Sequence, residues 1–372
     1  MKLIVISSSP LVQKNNLYNA YSPYVKELEI WAKYSDEIAF FCPVWKEDNG
    51  LLISKINFPI SKIFFAKEFN VKSFNNFIIA FLYSFFNFYK IFQSMIWADH
   101  IHLRCPGNIG LMGAIVQIFF PKKKKTTKYA GNWDPKSKQP LSYRLQKWIL
   151  NNTFLTKNMQ VLVYGEWESS SKNIKPFFTA SYWEKEKLPI AIRNFENLIS
   201  FIFVGTLSTG KQPLYAVKLV EKIKERGYKV NLSIYGNGEE ADSLKEYIFQ
   251  NNLEKFIHLK GNHSQESIKK VYQESHFMIL PSQSEGWPKV VAESMFWGCL
   301  PITTRVSCIE NMLDNGNRGL LLKMNFNDDL EQIIAILNNQ EAYDSKVRKS
   351  ILWSRKYTLD LFETEIKNLL NP

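Results

Sequence analysis

LISFIFVGTLSTGKQPLYAVKLVEKIKERGYKVNLSIYG, residues 198–236, contains one full turn of an alternating pattern. LISFIFV (198–204) is a short apolar run rich in aromatic and β-branched residues and closed by Gly205, as expected of a buried strand. PLYAVKLVEKIKERG (213–227) spaces its apolar residues for one helical face, opens on Pro and ends on Gly. YKVNLSIYG (228–236) is a second strand. The pattern then repeats, with helix over EEADSLKEYIFQNN (239–252), strand over KFIHLKG (255–261), helix over QESIKKVYQES (265–275) and strand over HFMILP (276–281). Strands joined by helices through short connections predict a parallel sheet covered on both faces.

Toward the N-terminus the alternation continues more loosely, with strands expected over KLIVIS (2–7), EIAFFCP (37–43), DHIHLR (99–104) and TTKYAG (126–131). At 372 residues the chain exceeds one ordinary core. The reading is therefore α/β, with two doubly wound, Rossmann-like domains. The first spans 1–190 and the second 191–350, with 351–372 as a C-terminal helix able to return to the first. The boundary falls near the charged, Pro-containing SYWEKEKLPIAIRN (181–194).

Composition narrows the class. Hydrophobic residues at 45% and aromatics at 15% describe a globular chain. The apolar run in MKLIVISSSPLV is too short for a signal peptide. Cys42, Cys105, Cys299 and Cys308 show no C-x-x-C spacing, so neither a zinc site nor a disulfide framework is expected, and a reduced cytoplasmic setting is. The net charge of +12 resides entirely in residues 1–190, and residues 191–372 are neutral. Within 101–150 ten basic residues face one acidic residue, and Lys122 to Lys125 run consecutively. Such a half-chain suits an anionic lipid surface, an anionic acceptor or nucleic acid; a merely solvated basic face is the bland alternative.

FIIAFLYSFFNFYKIFQSMIW (77–97) is long enough to suggest a membrane span, yet Asn87, Lys90 and Gln93 would sit in hydrocarbon. Asn87, Lys90 and Ser94 share one polar stripe, which favours a core helix first and a membrane-dipping helix second.

Three stretches carry chemistry. GTLSTGKQ (205–212) approaches the phosphate-binding pattern G-x-x-x-x-G-K-[ST], but Gln212 replaces the metal-binding hydroxyl. What remains is a strand, a turn, and Lys211 at a helix start marked by Pro213, where amides and a cation can meet phosphate. GNGEEA (236–241) fits G-x-G-x-x-A, but no acidic residue ends the next strand as a dinucleotide fold requires. Its glycines either admit a nucleotide closely or form a plain tight turn. SEGWPKVVAE (284–293) sets Glu285 in a loop and Glu293 in a helix expected to begin at Pro288, about 7–8 Å along the axis. Amides near 286–289 would meet a diphosphate, Glu285 a sugar and Glu293 a ribose, whose vicinal hydroxyls suit a carboxylate. The competing reading pairs Glu293 with Lys289 and leaves Glu285 hydrated. Their place after the fourth strand of the pattern favours a ligand.

This last stretch resembles the E-x7-E element of retaining glycosyltransferases of family 4, which have the two-domain GT-B architecture with the domains facing across a cleft. The resemblance runs from about Phe201 to Leu322 and includes GTLSTGK, GNGEE and GCLPITTRVSCIENMLDNGNRGLLL (298–322). It implies that Lys211 and Glu285 act at the reacting centre. Gly205, Thr206, Gly236, Gly238, Gly286, Trp287, Pro288, Lys289 and Glu293 would bind the donor. Thr206 stands where the family usually has an Arg, which hands part of the diphosphate grip to another cation such as Lys289.

The N-terminal half departs further from the family. SSSPLVQKNNLYNAY (7–21) lacks the Gly-rich loop, Arg104 replaces a strand-ending His, and KYAGNWD (128–134) lacks the usual His. Asn16, Arg104, Asn132 and Trp133 stand as the acceptor-side candidates. His100 and His102 share a strand face without a carboxylate or Cys cluster nearby in sequence, so a structural role is expected rather than a metal. No D-x-D occurs, and no metal or cofactor is expected.

The resulting expectation is a metal-independent, retaining transferase moving a hexose-type sugar from a UDP- or GDP-sugar to a glycan or lipid-linked acceptor. Its setting would be cell-surface polysaccharide or glycoconjugate synthesis, in the cytoplasm or peripheral at the inner membrane face. An anionic membrane surface is a further expected partner; nucleic acid is not. Two alternatives stay open. A nucleotide-sugar epimerase of the same architecture would turn over donor without acceptor, and a basic nucleic-acid-binding protein would show steeply salt-dependent binding.

Overall fold

The computed structural model describes all residues except 16, 69–73, 168–169 and 371–372, and only the backbone of 74–81. Two compact units result: Met1–Phe178 with Phe362–Pro372, and Thr179–Leu361.

The second unit carries six parallel strands in the spatial order Ile257–Gly261, Val230–Tyr235, Ile199–Val204, Phe277–Leu280, Leu300–Thr304 and Leu320–Leu322. Numbered along this unit the order is 3-2-1-4-5-6, a doubly wound sheet that reverses direction between its first and fourth strands. Phe201 and Phe277 lie side by side across that junction, their rings stacked 5.0 Å apart. Helices Pro213–Glu225, Ala241–Gln250, Gln265–Glu274 and Lys289–Phe296 make the first four crossovers, and the short helix Ile309–Met312 lies in the fifth. Pro213 begins its helix because a first-turn residue needs no amide hydrogen and its fixed φ already fits.

The first unit repeats this plan. Its seven parallel strands run Ile174–Phe177, Met159–Tyr164, Lys124–Tyr129, His100–Cys105, Lys2–Ile6, Glu37–Cys42 and Lys62–Phe65, again reversing beside the first strand. The stretch after Ser7, which has no Gly, forms a hairpin of Leu11–Lys14 with Leu17–Tyr21, extended by Val44–Trp45 and Ile53–Lys55 into a small sheet. Asn15 supplies the positive φ of the turn, which Asn tolerates. The C-terminal helix Leu359–Leu370 carries Phe362, fully buried against Phe177, Phe178 and the Lys128 ammonium.

Two features of this unit depart from a plain reading of the pattern. In the helix Phe74–Trp97, Asn87 and Ser94 face inward, while large apolar residues within 82–96 face out. Asn87 is buried because its amide clasps the Lys67 backbone, accepting from its N–H at 2.9 Å and donating to its carbonyl at 2.8 Å. Ser94, also buried, donates to the Ile91 carbonyl. The four consecutive lysines do not act together either. Strand alternation turns Lys125 inward, where it donates to the Phe120 carbonyl at 2.9 Å and burial lowers its pKa to about 8. Lys123 donates to the carbonyls of Met95, Ile96 and Ala98, capping the end of the long helix. Lys122 and Lys124 stay exposed. Among the described residues, no helix is long and apolar enough to cross a membrane.

Candidate functional site

In an open α/β sheet the crevice outside the carboxyl ends of the strands, where the order reverses, is left free for ligands. In the second unit the loops that leave this point are 205–212 and 281–288. They are tied together by the Gln283 amide, which donates to the Gly210 carbonyl at 2.8 Å. Lys211, in the short turn Thr209–Lys211, forms an ion pair with Glu285, whose side chain is only 9% exposed. Thr209 is held in turn by the Glu239 and Glu240 carboxylates, at 3.2 and 2.9 Å from its hydroxyl. Lys211 and Glu285 are 74 positions apart in sequence. The fold brings them to one spot.

Gly236 and Gly238 allow one loop to pack closely on another. A Cβ on Gly236 would lie 1.8 Å from the Gly205 carbonyl oxygen, and one on Gly238 would lie 2.3 Å from that of Leu207. Loop 236–240 rests on loop 205–208, sealed by Gly205 N–H to Tyr235 O at 2.9 Å, Leu207 N–H to Asn237 O at 3.1 Å and Glu240 N–H to Leu207 O at 2.9 Å. The close neighbour these glycines admit is therefore backbone, and they position the turn bearing Lys211. Thr206 is exposed beside them.

Loop 281–288 is fixed from its far side. Ser307 Oγ and Cys308 Sγ donate to the Gly286 carbonyl at 3.1 and 3.3 Å, and Thr304 Oγ1 donates to that of Ser282. Pro288 caps the helix, which begins at Lys289, one residue later than expected. Trp287 packs its ring near those of Trp353 and Tyr357, with centroids 6.3 and 5.8 Å away, so its indole serves packing. Glu293 has partners different from those of Glu285. It accepts from Ser181 Oγ and lies beside Tyr182 and Tyr272. Burial first, and then the Glu293 charge, raise the pKa of both phenols. A small pocket beside Glu293 is lined by Thr179, Lys289, Ala292 and Tyr357. Ser181, Tyr272, Ser307 and Cys308 were not foreseen, because nothing in their local sequence distinguishes them from ordinary loop and helix residues.

In the first unit, Arg104 lies at the carboxyl end of its strand, beside the point where that sheet reverses. Its guanidinium donates to buried Glu27 at 2.8 Å and lies 4.5 Å from the centre of the Tyr24 ring. Lys128, almost wholly buried, meets the same Glu27 oxygen at 2.9 Å. Asn132 accepts from the Asp134 amide and shapes a turn. Trp133 is a core residue, 4% exposed and edge-on to Tyr129, which corrects its reading as an acceptor contact. Asn16 lies outside the described residues. His100 and His102 are buried, and both rings contact Thr126 Oγ1, at 3.0 and 2.9 Å. Burial lowers the pKa of His100 to about 4 and holds that of His102 well below the usual imidazole value.

With this geometry in place, the sequence matches the family described as glycosyl transferases group 1 over residues 184–351. Relatives match over similar partial lengths. An uncharacterized glycosyltransferase of Methanocaldococcus jannaschii is 28% identical over 141 residues, 38% of this chain and 39% of that one. The poly(ribitol-phosphate) alpha-N-acetylglucosaminyltransferase of Staphylococcus aureus is 26% identical over 161 residues, 42% of this chain and 32% of that one. The matches thus span less than half the length of these curated relatives. Among solved structures, Anabaena HepE in complex with UDP-glucose superimposes with a TM-score of 0.70 at 13% identity, covering 100% of this chain and 99% of its own. WaaG, a glycosyltransferase involved in lipopolysaccharide biosynthesis, gives 0.66 at 10%, covering 100% of both chains. The fold is GT-B.

Proposed function

We propose that the protein is a metal-independent, retaining glycosyltransferase that moves a hexose-type sugar from a nucleotide-diphosphate sugar, UDP- or GDP-linked, to a glycan or lipid-linked acceptor. The observation that carries this reading is the Lys211–Glu285 pair at the sheet reversal of the second unit. When the sugar leaves, negative charge grows on the β-phosphate of the nucleotide. Lys211 supplies a cation there, and the amides opening the helix at Lys289 add fixed partial positive charge. Glu285, ion-paired with Lys211, accepts from sugar hydroxyls once Lys211 turns to phosphate. Glu293, on the helix behind, takes the ribose in place of Ser181. With a protein cation at the leaving group, no metal is required for charge neutralisation, in keeping with a sequence that lacks D-x-D. Acceptor recognition is assigned to the basic first unit, and retention follows the family resemblance.

The test is a thermal-shift panel with UDP, GDP and ADP on the parent chain and on Lys211→Ala. A ligand at 100 times its Kd adds about 2.7 kcal/mol. Stabilisation of the parent by one of the three, reduced in the variant, is the expected result; no shift with any of them would overturn the donor site. Turnover is expected to persist in EDTA, and a loss restored by Mn²⁺ would contradict the metal-free reading.

A further inference from the structure

We infer that the first unit carries a docking surface for an anionic lipid bilayer, built from the outer face of residues 82–96 of the helix Phe74–Trp97 and the lysine-lined groove at its C-terminal end. This goes beyond the transferase reading and does not depend on it. Leu82, Phe85, Tyr89, Phe92 and Ile96 are between 40% and 62% exposed, and they succeed one another at intervals of three and four residues. That spacing is a single stripe about 21 Å long on one side of a helix. The opposite side is anchored by Asn87, Ile91, Ser94 and Met95, all fully buried, so the stripe cannot rotate inward. The helix holds one charged residue, Lys90, and no carboxylate.

Where the stripe ends, the basic groove begins. The Phe120 ring lies 5.0 Å from that of Phe92, and Pro121 and Lys122 then line a groove of about 790 Å³. Exposed Lys122, Lys124, Lys157 and Lys172 line it, and among the described residues no carboxylate does. The two features select one occupant together. A second copy of the chain would cover the stripe but bring the same lysines against each other. A soluble polyanion would neutralise the lysines and leave the stripe in water. A bilayer with anionic headgroups meets both, with phosphates at the groove and acyl chains at the stripe, the geometry of an interfacial helix.

The experiment is co-sedimentation of the full chain with vesicles of phosphatidylcholine alone and of phosphatidylcholine with phosphatidylglycerol, at low and high salt. Two variants are compared with the parent. One replaces Lys122, Lys124, Lys157 and Lys172 with Ser; the other is Leu82→Ser, Phe85→Ser, Tyr89→Ser. Unchanged near-UV dichroism and melting temperature show that each still folds. The parent should bind the anionic vesicles and not the neutral ones. Each removed lysine should weaken partitioning by about fivefold, and the apolar variant should lose at least about tenfold. Equal binding to both vesicle types, or none to either, overturns the inference. Full binding by the apolar variant, with inorganic polyphosphate displacing the parent from vesicles, would make the groove a site for soluble polyanions instead. A dimer of the parent that dissociates in the apolar variant, without vesicle binding, would make the stripe an interface between copies.

Discussion

Single side chains are the most direct places to test this site and its scaffold. Glu285→Ala should chiefly lower kcat, because its carboxylate stands beside Lys211 at the proposed sugar-transfer end of the donor site, whereas Glu293→Ala should chiefly raise KM. Steady-state kinetics with donor varied separate the two, and unchanged constants in both variants would remove the assignment. Glu27 answers for two buried cations, Arg104 and Lys128. Glu27→Gln leaves them uncompensated and should cost about 3–5 kcal/mol, read as a lower denaturant midpoint. His100, with its pKa near 4 against an ordinary value near 6.5, resists protonation in the folded state but not in the unfolded one. The unfolded chain therefore binds the extra proton, and stability falls as pH drops from about 6.5 toward 4. His102, shifted the same way, deepens the loss. In His100→Asn, His102→Asn the urea midpoint should vary less across that window, whatever its absolute value. Sequence alone could nominate Glu285 and Lys211 separately, from loop position and residue type. It could not pair them, since their meeting depends on which strands are neighbours. Trp133 was misjudged for a related reason: an aromatic in a polar loop looks exposed until Tyr129 is seen beneath it.

At the level of elements, the β-α alternation was legible because a strand buried on both faces must be uniformly apolar, and a crossover helix must be apolar on one side only. The glycines of loop 236–240 show what was not legible: a tight turn and a ligand cradle share one pattern, and only the packed loop beneath decides. Gly238→Ala would press a methyl group toward the Leu207 carbonyl and displace the turn carrying Lys211. The expected result is a melting temperature lowered by several degrees and a weaker nucleotide-induced shift. An unchanged shift would mean that the loop does not position Lys211. The orientation of the helix Phe74–Trp97 was not legible for the opposite reason, because hydropathy pattern assumes that polar residues seek water. Asn87 instead found two backbone partners in the interior. Lys123→Met should leave three carbonyls at that helix end uncapped and cost about 1–2 kcal/mol, while Lys122→Met should cost almost nothing.

At the scale of the molecule, the first unit is assembled from both ends of the chain. Phe362 fills a hole beside Phe177 and Phe178, and the Glu363 and Glu365 carboxylates pair with Lys33 and Lys175. Phe362→Ala should cost about 3–5 kcal/mol and lower the melting of the first unit alone. A calorimetric trace in which both units shift together would contradict that. The C-terminal helix also dictates an order of events on the ribosome. Residues 1–178 emerge first, but the piece that covers Lys128 and the phenylalanines is translated only after 179–361. The second unit, with all its strands contiguous, can close while the first still waits. The half of the protein made earliest is thus the half completed last, and in the interval its open seam is what chaperones would find.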